Sequence, residues 1–75
     1  MKIGVPKEIK NHEYRVGLTP SSVQEMCSHG HTVMVQKNAG MGISASDEDY
    51  QNAGATIIDT AKDIFAKAEM IIKVK

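Results

Sequence analysis

The chain has 75 residues and a mass of 8.2 kDa, and nine basic residues balance nine acidic ones at a pI near 6.8. That length allows one domain at most, and a neutral balance with only three aromatics (Tyr14, Tyr50, Phe65) excludes the electrostatic field and stacking platform that nucleic acid or an anionic membrane would need. Apolar runs stop at three residues and charged side chains crowd the N-terminus, which excludes a secretory signal and a membrane span, while the single Cys27 fits a reduced, cytoplasmic setting.

Residues 1–6 set Ile3 and Val5 on one face of a short strand that Pro6 ends, since proline cannot donate to a ladder. From Lys7 to Leu18 the text is charged and lacks a clean period, so it reads as a long loop, and loops of that length usually carry function. A helix then starts with Thr19 as N-cap, Pro20 at the first position and Leu18 placed to staple onto Val23. Val23, Met26 and Cys27 form its expected buried stripe, and Gly30 stops it.

Thr32 to Gln36, with Val33, Met34 and Val35 in a row, has the look of a strand covered on both faces. After the Gly40 and Gly42 stretch, Ser46 caps a short helix whose first turn, Asp47, Glu48 and Asp49, suits the helix dipole. Gly54 ends it, Ala55 to Ile58 is a third strand, and Thr60 with Asp63 makes a capping-box variant for a third helix. Ala61, Ile64, Phe65 and Ala68 give that helix an apolar face, and Met70 to Lys75 is a fourth strand. Four strands alternating with three helices predict an α/β fold with a parallel, doubly wound, Rossmann-like sheet. The text stops inside the last strand, so residues 1–75 are expected to be the N-terminal part of a larger domain.

In open parallel sheets ligands bind beyond the carboxyl ends of the strands. Two cations qualify: Arg15, in the loop leaving the first strand, and Lys75, at the end of the fourth. A guanidinium fork holds a carboxylate through two parallel hydrogen bonds, and an ammonium acts as a point charge on a neighbouring oxygen, so the pair suits a small 2-oxo or 2-amino acid. The competing reading leaves Arg15 solvated or paired with Glu13, and Lys75 as a plain strand residue. Lys73 shares a side of the strand with Lys75 but sits deeper, roughly 6.6 Å back.

Other groups carry less. Gly40-Met41-Gly42 lacks the third glycine of a dinucleotide loop and is followed by three carboxylates that would repel a pyrophosphate, so a backbone turn is expected. Cys27, His29 and His31 straddle a helix end at a spacing unlike that of closed zinc sites, and no metal is expected. His12 is the histidine of the candidate loop, but only proximity speaks for it as a catalyst.

Gly4-Val5-Pro6-Lys7-Glu8, Asn11-His12-Glu13-Tyr14-Arg15-Val16, Thr19-Pro20 and Val23 together closely resemble the N-terminal signature of the alanine dehydrogenases, which the alpha subunit of the nicotinamide nucleotide transhydrogenase shares. The likeness continues through Gly30-His31-Thr32-Val33, Ala39-Gly40-Met41-Gly42, Asp49-Tyr50, Ala53-Gly54-Ala55 and Ile71 to Lys75. His12, Gly17 and Met26 stand where asparagine, alanine and leucine are common in that family. Lysine at position 75 favours alanine dehydrogenase over the transhydrogenase, which typically has asparagine there.

The resemblance implies NAD-dependent, reversible oxidative deamination of L-alanine to pyruvate and ammonium. Arg15 and Lys75 would contact pyruvate or alanine within a substrate-side domain. It also implies that the catalytic histidine and aspartate and the NAD-binding domain lie beyond residue 75, that these residues alone are inactive, and that the protein is a homo-oligomer, commonly a hexamer. A transhydrogenase fragment and a non-enzymatic α/β binding module are the alternatives.

Overall fold

Ile3 and Val5 alternate with Lys2 and Gly4, so a strand built from them has one branched face and one narrow face. In the computed structural model, which describes residues 1–8 and 16–73, that strand is β1, Lys2–Val5. The Thr19 side chain accepts the Ser22 N–H to cap α1, Pro20–Ser28, with Pro20 in the first turn. Gly30, at φ 88°, turns the chain toward β2, Thr32–Gln36, a strand whose three central residues are buried.

One turn of 3-10 helix, Met41–Ile43, leads to α2, Asp47–Asn52, and then to β3, Thr56–Ile58. A full reciprocal capping box forms at Ser46, whose hydroxyl accepts the Asp49 N–H while the Asp49 carboxylate accepts the Ser46 N–H. The sequence had pointed to that arrangement at Thr60, where the side chain accepts the Asp63 N–H at 3.2 Å to start α3, Ala61–Lys67. The chain then enters β4, Met70–Ile71.

The four strands are parallel in the order β3-β2-β1-β4, with Ile3 opposite Val33, Val5 opposite Val35 and Gly4 opposite Ile71. The doubly wound α/β sheet expected from the alternation is therefore present. On one face Ile3, Val5, Val33 and Val35 join Val23 of α1, Tyr50 of α2 and Ala55 in the main core. On the other face lies α3, whose Ile64 is fully buried. The exposed area of 4636 Å² is close to the roughly 4,500 Å² expected at this mass.

Gly4 is what lets α3 lie close. A Cβ there would fall 2.6 Å from Ile64 Cγ2 and 2.8 Å from the Ala68 methyl. Gly4→Ala is expected to cost about 1–3 kcal/mol through overpacking, read as a lower urea midpoint at unchanged slope. A midpoint equal to that of the parent would show that α3 can give way.

Four expectations need correction. In α1 only Val23 is buried, while Met26 and Cys27 are half-exposed, because a nine-residue helix lying on a four-stranded sheet presses a narrow line into it. Phe65 is 54% exposed, since Ile64 takes the fully buried position of α3 against the sheet and no second helix shares that face among the described residues. The third strand begins at Thr56 instead of Ala55. The fourth strand, expected over Met70 to Lys75, is Met70–Ile71, and the Ile72 N–H continues the ladder to the Gly4 carbonyl at 3.0 Å.

Candidate functional site

The strand order sets where a site can form. From β1 the chain runs outward through β2 to β3, then returns across the other face to place β4 against the free side of β1. The order reverses between β1 and β4, and in open α/β sheets the crevice beyond the carboxyl ends at such a reversal is where ligands bind.

Two described segments lie at that end of the sheet. Past the end of β1, Pro6 and Glu8 are buried, and the Lys7 N–H donates to Gln36 Oε1 of β2 at 2.7 Å. A carboxylate at 9% exposure beside the strand ends is a feature the sequence did not single out, since Glu8 sits among charged neighbours that all read as solvated. Val16, Gly17 and Leu18 form the return leg of the loop that leads into α1.

Two contacts fix this leg. Tyr50, fully buried in α2, donates its hydroxyl hydrogen to the Leu18 carbonyl at 2.8 Å. Burial holds its phenol above the ordinary tyrosine value of 10.0, so the group remains a donor at neutral pH. On the other side Gly17 lies against the end of β4, where a Cβ would fall 2.5 Å from the Ile72 carbonyl oxygen and 3.1 Å from Ile72 Cγ2. Neither contact had a local signal, because the partners are 32 and 55 residues apart in sequence.

Arg15, Lys75 and His12 lie outside the described residues. Lys73 is described and exposed, consistent with a rim position. The Gly40-Met41-Gly42 stretch is a 3-10 turn, and Gly40 is required there by packing, since a Cβ would fall 2.6 Å from both the Ala45 carbonyl and Tyr50 Cε2. The Asp47 carboxylate accepts the Asn38 N–H, and Asp49 closes the capping box, so the N-terminus of α2 already faces the chain's own carboxylates. These residues do not fit a dinucleotide pyrophosphate. Among the described residues no group of three or more His, Cys, Asp and Glu could hold a metal ion, and His29 is exposed while Cys27 is half-buried beneath Gly54. None of the described helices is long and apolar enough to cross a membrane.

Parallel strands with helices on both faces and a crevice at the reversal of strand order define a Rossmann-like α/β domain. Residues 4–75 match the family described as alanine dehydrogenase/PNT, N-terminal domain, and the chain belongs to that family. The alanine dehydrogenase of Methanococcus maripaludis is 56% identical over all 75 residues, which make up 20% of that protein. That of Mycolicibacterium smegmatis is 48% identical over the same span and share.

A solved L-alanine dehydrogenase structure superposes with a TM-score of 0.94 at 52% identity, covering 97% of this chain and 20% of that one. A transhydrogenase from Sinorhizobium meliloti superposes at 0.89 and 34% identity, covering 97% of this chain and 21% of its own. The chain thus spans about a fifth of the length of the relatives it matches.

Proposed function

We propose that these residues are the substrate-side part of an NAD-dependent L-alanine dehydrogenase, which interconverts L-alanine, NAD⁺ and water with pyruvate, ammonium, NADH and a proton. The observation that carries the reading is the contact of Gly17 with Ile72 at the reversal of strand order. Gly17 is two residues along the chain from Arg15, and Ile72 is three from Lys75. This supports a shared mouth for the two cations, in which Arg15 anchors the substrate carboxylate and Lys75 polarises the oxo or amino group.

The dinucleotide is held by a part of the protein beyond residue 75, in keeping with the misfit of the Gly40 turn. The same reading makes the protein a cytoplasmic homo-oligomer, hexameric as is common in the family. Higher identity to the dehydrogenase structure than to the transhydrogenase, 52% against 34%, favours the first of the two family activities.

The test is NADH oxidation by the full-length polypeptide carrying these residues. Turnover that requires both pyruvate and ammonium is expected. Hydride exchange between two nicotinamide nucleotides, without response to pyruvate, would replace the dehydrogenase with the transhydrogenase.

A further inference from the structure

Two sides of α1 are occupied. Val23 is buried in the core against the sheet, and Pro20, Ser21 and Gln24 lie beside Asp49, Asn52 and Ala53 of α2, where Cys27 also meets Gly54. A third side remains. Ser22, Glu25, Met26 and His29 share it at i, i+3, i+4 and i+7, and they line a trough that runs from Leu18 before the helix to His31 after it. Leu18 and Met26 there, with Ile72 on β4, pack against the main core and stay half-covered. Nδ1 of His31 is shut off from solvent with no hydrogen-bond partner among the described residues, whereas buried polar atoms normally have one.

Chain handedness limits what can fill this trough. Crossovers between parallel strands are right-handed, so the steps outward from β1 to β2 and β3 put α1 and α2 on one face, and the return to β4 puts α3 on the other. A strand added beyond β4 continues in the direction of that return, and its crossover helix lands on the face of α3. The place beside α1 is therefore out of reach of the next unit of the fold. A second copy of the chain is a poor match as well, because a stable interface takes about 20–30 residues a side and six line the trough. Chain from further along is in ample supply, since the matched span is 20% of the relatives.

We propose that the trough on α1 seats an amphipathic helix from a later part of the same polypeptide, other than the crossover helix that follows β4. The inference rests on the reading of residues 1–75 as part of a longer dehydrogenase. The incoming helix completes the layer that α1 and α2 begin, at the usual separation of about 8–10 Å. Its apolar stripe covers Leu18, Met26 and Ile72, and it brings a hydrogen-bond donor to the end of the trough at His31. Docking of this kind ties a distant stretch of the chain to the substrate-side domain.

In the full-length protein, a benzophenone amino acid in place of Glu25, exposed at the lip of the trough, is expected on irradiation to link within one chain to a peptide beyond the first helix after residue 75. The same group in place of Ser21, on the side of α2, should form no such link. A link between two chains, a link to the first helix after residue 75 or within residues 1–75 alone, or no link from position 25 would overturn the proposal. Met26 of the unsubstituted protein should resist peroxide, while Met41, 64% exposed, is converted to the sulfoxide. Equal rates at the two methionines would mean an open trough and overturn the proposal even where the benzophenone variant does not fold. Neither readout uses turnover, so a parent that ignores pyruvate removes the dehydrogenase reading and leaves the docked helix to be decided by its own data.

Discussion

Arg15→Ala in the full-length enzyme is expected to raise the KM for pyruvate by roughly 30- to 4,000-fold, the equivalent of the about 2–5 kcal/mol lost when one partner of a buried charge pair is removed. The size follows from what is left behind. A carboxylate drawn out of water into the crevice would keep its desolvation cost and lose the two parallel hydrogen bonds of the guanidinium fork. Arg15→Lys should recover only part of the loss, because an ammonium supplies the charge without the planar fork. The KM for NADH should stay at the parental value. Steady-state kinetics with pyruvate varied at saturating NADH and ammonium reads all of this, and an unmoved pyruvate KM would strip Arg15 of the anchoring role.

Lys75→Ala is expected to depress kcat/KM for pyruvate by roughly a hundred- to a thousandfold, the range seen when a single donor is taken from a developing negative charge. The loss should fall on kcat as well as on KM. A cation beside the substrate oxygen stabilises charge that grows as the carbonyl is attacked, so its effect is larger in the transition state than in the ground state. NADH affinity measured by fluorescence titration should be untouched. A collapse of cofactor binding in this variant would move Lys75 from the substrate to the nucleotide and undo the pairing with Arg15.

Both predictions depend on the two ends of the chain meeting, and that is where sequence and structure contribute differently. Thr19 with Pro20, Ser46 as a cap, and the glycines at 30 and 54 announce helix starts and stops because capping and left-handed backbone are settled by residues within one turn. The run Val33, Met34, Val35 likewise reveals a strand buried on both faces. The sequence did not reveal that Phe65 would stay exposed, because which part of an apolar stripe is covered depends on how many neighbours share its face. The burial of Glu8 was equally invisible, since nothing in the pattern of its charged neighbours separates it from a solvated side chain.

What the sequence determined by itself is the alternation of strands and helices and most of their local boundaries, which are consequences of short-range sterics and hydrogen bonding. What only the tertiary structure decided is that β4 settles beside β1 instead of beyond β3. The alternation of elements is compatible with either edge. The choice is made by packing, since α3 must cross the face where Gly4 leaves room for Ile64 and Ala68, and that crossing delivers β4 to the free edge of β1 and Ile72 to Gly17.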